Sequence, residues 1–346
     1  MSIRISVLNP ADRESWNEYV DRSPQGSVFH RYDALRTQAT YSNARLYPLV
    51  GYKGQEPVGI FPIFESHKGP VTFAFSPPHG LHVPILGPAL LNMGQLKQRK
   101  REKRHSRFID GCLEWIDREL EPRYTSIRTS WRYDDVRPFK WNEFDVHPSY
   151  TYVVDLETDE ETLIRRFSRT TRRTIRNHLD DEYTVAVGGV DEARWIMEQV
   201  VSRFEEQGKA ATMSPSFVAE LYERLPDGVV NPYVLSVDGD PVTGTILLVD
   251  GETAHRWQGG TKPGTSLPAN ELLEWRMLTD AMERGVRDYE LVDANIPRIN
   301  GWKSKYNPNV RTYYTMYRSG RGMAAAVQLY LRLRDRNELV TKLAPG

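Results

Sequence analysis

The chain has 346 residues, 39% of them apolar and 11% aromatic, enough to fill the cores of two globular domains. Lysine plus arginine equals aspartate plus glutamate at 46 each, which excludes a global field for nucleic acid or an anionic membrane and leaves any anionic partner to a local patch. A lone Cys112 excludes an internal disulfide and a cysteine-rich zinc site, and fits a reducing compartment.

The N-terminal residues lack a charged region followed by an apolar stretch, and no window approaches eighteen consecutive apolar residues, so a soluble cytoplasmic protein is expected. Alternation over Ile3 to Val7 predicts a strand, and Trp16, Tyr19 and Val20 at helical spacing predict a helix. A second short helix is expected over His30 to Gln38. Leu46 to Tyr52 and Val58 to Phe64 read as a hairpin around Lys53-Gly54-Gln55-Glu56. Gly69 to Pro88, rich in Pro, Gly and His, reads as a loop, and Lys97 to Arg107 is strongly basic.

The second half repeats this order: helices over Asp191 to Glu206 and Ser216 to Leu225, then strands Tyr233 to Val237 and Val242 to Val249. Two anchors recur in register. Gly54-Gln55-Glu56-Pro57-Val58-Gly59 corresponds to Gly239-Asp240-Pro241-Val242-Thr243-Gly244, and Leu113-Glu114-Trp115 to Leu273-Glu274-Trp275. The anchors stand 56 residues apart in the first half (57 to 113) and 32 in the second (241 to 273). The first copy therefore carries about 24 extra residues between 65 and 107. A duplicated α+β unit follows, with residues 1–148 as one domain, 149–320 as the other and 321–346 as a C-terminal helix and tail.

Two helices, a hairpin, a long helix and a further strand resemble a GNAT acyltransferase, and tandem copies resemble the Fem-type and CelD-like proteins. The resemblance spans roughly residues 14 to 318. It is carried by Trp16 with Ser23 to His30, by the arginine-rich Phe167 to Leu179, and by Leu267-Pro268-Ala269-Asn270 followed by a long helix, the strand Tyr289 to Val292 and Ile299 to Tyr306. It implies an α+β fold of tandem GNAT-like domains, each a mixed, mostly antiparallel sheet flanked by helices. It further implies N-acyl transfer to an amine on a small-molecule, lipid-linked or nucleotide-linked envelope or polysaccharide precursor. Acyl-coenzyme A is the favoured donor and aminoacyl-tRNA the family's other donor; the basic run Lys97 to Arg104 would suit RNA. Gln258-Gly259-Gly260-Thr261-Lys262-Pro263-Gly264 matches the GNAT phosphate loop only loosely in order and spacing.

Lys303 follows the family's aromatic-lysine pattern, where a cation would stabilise an oxyanion or hold a phosphate; the alternative is an exposed lysine in an irregular turn. Lys305 and Arg298 are its neighbours. Asp293 would accept the amine proton or cap its own turn, and Asn295 lies beside it at the same strand exit. His255 and Gln258 would face a cleft from one strand. Arg172, Arg173 and Arg176 would present guanidinium groups to phosphate, or solvate a helix by pairing with Asp180, Asp181 and Glu182. His30 would touch the acceptor or cap a helix. Cys112 reads as core, and His79 with His82 lacks a third ligand, so no metal is expected. A non-catalytic scaffold is the competing class, with Met323 to Arg336 as a membrane or partner contact.

Overall fold

A computed structural model describes residues 3–208, 213–261 and 266–320; the expected C-terminal helix and tail, and Lys262 to Gly264 of the glycine loop, lie outside them. The first half runs β1 (Arg4–Val7), α1 (Arg13–Arg22), α2 (Tyr32–Ser42), β2 (Arg45–Lys53), β3 (Glu56–Lys68), β4 (Val71–Ser76), β5 (Ala89–Leu90), α3 (Gln98–Leu120), β6 (Tyr124–Arg128), α4 (Arg137–Trp141) and β7 (Asp145–Asp155). The second runs α5 (Glu160–Arg166), α6 (Arg169–His178), β8 (Thr184–Val187), α7 (Val190–Glu206), α8 (Pro215–Arg224), β9 (Val230–Val237), β10 (Asp240–Asp250), β11 (Thr253–Thr261), α9 (Ala269–Glu283), β12 (Asp288–Glu290), α10 (Pro297–Lys303) and β13 (Asn309–Ser319).

All the strands join one sheet in the order β1-β2-β3-β4-β6-β13-β7-β12-β11-β10-β9-β8, with β5 paired to β3. Read from either end, the order is the same unit: four antiparallel strands, then a parallel step, β4 on β6 in one half and β11 on β12 in the other. The last strands are exchanged. β7 leaves the first half to pair with β12, while β13 leaves the second to pair with β6, and the two pair with each other. The mixed, mostly antiparallel α+β architecture is as expected, but the halves share one continuous sheet. Pro148, the expected boundary, sits inside β7 opposite Tyr314, because the chain passes between the halves as a strand rather than a linker.

Strand alternation sends neighbouring residues to opposite faces. Val50, Ile60 and Phe64 join Ile246, Leu248 and Trp257 in a cluster that both halves share beneath α1, α2, α7 and α8. Leu49, Phe61 and Ile63 face α3 on the other side, and Tyr233, Leu235 and Leu247 face α9. The Arg31 guanidinium ties the halves together through Asp250 and Asp21.

One expectation needs correction. Val71 to Ser76 is a strand, since its alternating Val, Phe and Phe add a fourth strand to the hairpin; the loop begins only at Pro77. The basic run forms the opening turns of α3. The extra length of the first copy is divided between the segment 77–97 and this longer helix, 23 residues against 15 for α9.

α3 approaches the sheet through Phe108, which lies flat over the paired Gly51 and Gly59. A Cβ at Gly59 would stand 2.6 Å from that ring. Gly59→Ala is therefore expected to cost about 1–3 kcal/mol by overpacking, seen as a lower urea midpoint with unchanged m-value.

Candidate active site

β11 and β12 stay paired only from Thr253 opposite Asp288 to His255 opposite Glu290. There β12 ends, while β11 continues along β10 to Thr261 with a bulge at Trp257, where the register steps from Leu247↔Arg256 to Ile246↔Gln258. Such a bulge bends its strand and re-aims side chains. A cavity of about 770 Å³ occupies the resulting opening. Arg256, Gln258 and Gly259 of β11 form one wall, and Leu291 to Asp293 with Trp302 and Lys303 of α10 the other. Arg203 and Phe204 at the end of α7 and the inserted His82, Pro84 and Ile85 overlie it. Arg128, Ser149, Tyr313, Thr315 and Tyr317 from the central strands form its floor.

The matching opening in the first half is filled by its own chain. Beyond Ser76, Leu86 bridges Thr129 and its N–H donates to the Arg128 carbonyl at 3.0 Å, while the Gly87 N–H donates to Ser76 Oγ at 3.0 Å. The insertion thus closes one opening and helps wall the other, where Trp257 donates its indole N–H to the His82 carbonyl at 2.9 Å.

Lys303 ends α10, a short helix that Pro297 opens from an extended Ile296. The alternative reading, an exposed lysine in an irregular turn, does not hold, since the residues up to Lys303 are helical and Lys303 is buried. Trp302 and Tyr306 pack edge to face at 5.3 Å, and Tyr306 packs on Phe167 at 5.2 Å; this anchor turns Lys303 inward until it is 7% exposed. Its ammonium donates to the carbonyl oxygens of Val292 and, at 2.7 Å, of Asp293. Both residues have positive φ, +49° and +56°, a conformation costly for a β-branched valine and typical of strained functional sites. Burial and the nearby Arg256 charge lower the Lys303 pKa to about 8. An ammonium carries three N–H groups, so one remains for a bound carbonyl or phosphate.

Behind this wall Arg256 Nε donates to Glu274 at 2.6 Å and its guanidinium lies 4.8 Å from the Trp302 ring centroid. Glu274, fully buried on α9, also accepts from the Tyr289 hydroxyl at 2.8 Å. Glu290, 1% exposed, accepts from His255 Nδ1 at 2.8 Å and from the Thr151 hydroxyl at 2.7 Å.

Lys303, Asp293, Gln258 and Asn295 meet at the cavity. The Asp293 carboxylate also accepts from the Asn295 backbone and side-chain amides at 2.8 and 2.7 Å, so it caps its own turn. Asn295 in turn pairs with both backbone groups of Tyr150. His255 stands behind Glu290 rather than on the wall, because Arg256 takes the cavity-facing position on β11.

The remaining candidates lie elsewhere. His30 is fully buried, bonded to Ser27 at 3.0 Å and to the Gly87 carbonyl at 3.2 Å, and burial lowers its pKa to about 4, so it is a neutral core residue. Arg172, Arg173 and Arg176 ride on α6, which packs on α9. Arg176 is held by Glu161 at 2.7 Å, not by the acidic run after the helix. Arg298 is exposed on α10 outside the cavity wall, and Lys305 pairs with Glu271 at 3.6 Å. Cys112 is buried. Among the described residues no helix is long and apolar enough to cross a membrane, and no group of three His, Cys, Asp or Glu could hold a metal ion. Arg128, Arg203, Arg256 and Glu290 went unrecognised in the sequence, since each looks like an ordinary charged residue until the central strands and the bulge bring them to one place.

Residues 165–304 match the family model of the acetyltransferase (GNAT) domain, a span that includes β11, β12 and Lys303. No protein of curated function matches the chain by sequence. Solved structures with the same fold include FemX, at 11% identity and a TM-score of 0.69 over 90% of this chain and 96% of that one. L-PGS from Bacillus licheniformis follows at 12% identity and a TM-score of 0.58 over 95% and 98%. A tandem GNAT protein from the clavulanic acid biosynthesis pathway matches at 11% identity and a TM-score of 0.53 over 93% and 100%. Residues 165–304 are thus similar to the acetyltransferase (GNAT) domain, and the whole chain shares its fold with these solved structures.

Proposed function

We propose that this protein is an N-acyltransferase that moves an acyl group, with acyl-coenzyme A as the favoured donor, to an amine on a cell-envelope or polysaccharide precursor. The observation that carries the reading is the open β11/β12 splay of the GNAT domain with the Lys303 ammonium at its apex. A donor carbonyl entering the splay would meet a cation already oriented by two carbonyls, whose remaining N–H suits the oxyanion that develops during attack. Preorganised charge in a water-poor cleft is the largest lever available to such a reaction. Arg128, Arg203 and Arg256 line the same cavity, a balance that fits a phosphate-bearing donor or acceptor. The amine would approach from the side of β13, between the halves.

A second reading, aminoacyl transfer from tRNA, draws on the exposed Lys97, Arg99, Lys100, Arg101 and Lys103 at the start of α3 and on the fold shared with FemX and L-PGS. Thermal unfolding with a panel of acyl-coenzyme A thioesters and charged tRNAs separates the two. A donor at a hundred times its Kd stabilises by about 2.7 kcal/mol. We expect a thioester to protect, with little dependence on salt. Protection by charged tRNA that falls steeply with salt supports the second reading, and protection by neither overturns acyl transfer.

A further inference from the structure

We propose that Glu290 is the catalytic residue that accepts the proton of the attacking amine, and that His255 and Thr151 are the positioning residues that hold it; the assignment rests on the acyl-transfer reading above. Glu290 closes β12 at the point where the parallel pairing with β11 stops, so its backbone belongs to the sheet while the residue lines the cavity. One oxygen is fixed from β11 by His255 Nδ1 at 2.8 Å, the other from β7 by the Thr151 hydroxyl at 2.7 Å. A carboxylate accepts only, so His255 carries its proton on Nδ1. Its Nε2 is buried and has no partner among the described residues, so a second proton there would be unsatisfied. The contact orients the Glu290 carboxylate from the neighbouring strand.

Asp293, the other carboxylate on the wall, is tied into its own turn by two amides of Asn295. Glu290 is held on rigid strands instead, with each oxygen retaining a lone pair. The other charged or titratable residues lining the same cavity are Lys303 from α10, Arg256 from β11, Arg128 from β6, Arg203 from α7, Asp293 from the loop after β12, His82 from the inserted segment, and Tyr313 and Tyr317 from β13. In the step itself the amine nitrogen attacks the donor carbonyl carbon, and the C–N bond forms as the C–S bond of a thioester breaks. The nitrogen's proton passes to Glu290, and the departing thiolate takes that proton as the carboxylate regenerates.

The test uses the full chain and the donor that protects it, with glucosamine as the probe amine, measured between pH 5 and 9. Glu290→Gln keeps shape and is expected to retain donor protection while kcat falls about 10²–10⁴-fold, the usual reach of a general base, with KM changed far less. Glu290→Ala is expected to regain turnover when formate is added. His255→Asn, whose amide still donates to Glu290, should keep turnover, whereas His255→Leu, which removes the donor, should lose it while donor protection is retained. Wild-type kcat and an unchanged profile in Glu290→Gln, with turnover still lost in Lys303→Met, would overturn the Glu290 assignment and leave the acyltransferase reading standing. Absence of transfer by the unmodified protein would overturn both.

Discussion

Lys303→Met is expected to lower turnover about 10²–10³-fold, the loss typical of deleting one oxyanion-stabilising donor, and at the same time to raise the melting temperature. The two effects have one cause. Lys303 is brought out of water to 7% exposure, and burial beside Arg256 brings its pKa down from 10.5 to about 8. Below pH 8 both the folded and the unfolded chain carry the proton, and the folded state bears the cost of a poorly solvated cation. Between pH 8 and 10.5 the unfolded chain holds a proton that the folded chain has released, so stability rises with pH across that window. Methionine fills nearly the same volume with no charge to desolvate. Unfolding followed from pH 7 to 10.5 should therefore show an upward slope in the wild type that the variant lacks. Turnover of the wild type should fall as pH passes about 8 and the cation is lost. A variant with wild-type turnover would remove the ammonium from the chemistry, and a variant with a lower melting temperature would refute the desolvation argument.

The duplication was legible because its anchors are local. Pro57-Val58 and Pro241-Val242 each enter the strand after a hairpin turn, and each Leu-Glu-Trp sits on the helix that crosses the sheet. The exchange of β7 and β13 was not legible, because each strand's partners come from the opposite half and no local pattern encodes which half a strand joins. The site divides in the same way. Lys303 stood out through the resemblance to the family's aromatic-lysine pattern, and Asp293 as a carboxylate at a strand exit. Glu290 did not, because it ends a three-residue strand and gains its meaning only from His255 and Thr151 on the two flanking strands. His255 was read as facing a cleft through strand alternation. The bulge at Trp257, which sequence does not announce, brings Arg256 and Gln258 to the wall instead.

Glu274→Ala should be the most destabilising single change near the cavity, at about 3–5 kcal/mol, and the duplication supplies its own control. Glu114 and Glu274 occupy the same place in the repeated Leu-Glu-Trp, yet Glu114 is exposed on α3 while Glu274 is fully buried on α9. In the first half the carboxylate stays in water, and Glu114→Ala should change stability by no more than about 0.5 kcal/mol. In the second half the carboxylate accepts from Arg256 and Tyr289 together. Deleting it strands a guanidinium whose side chain is 18% exposed and leaves a buried hydroxyl without its acceptor. Removing one partner of a buried pair costs far more than the intact pair contributes, since the survivor's desolvation is then uncompensated. The double variant Arg256→Met with Glu274→Leu should accordingly regain much of the stability that Glu274→Ala loses. It should not regain turnover, because Arg256 is one of the cations lining the cavity with Lys303; the Lys303 pKa should rise only modestly, since burial still lowers it and the raising influence of Glu274 is lost together with the lowering influence of Arg256.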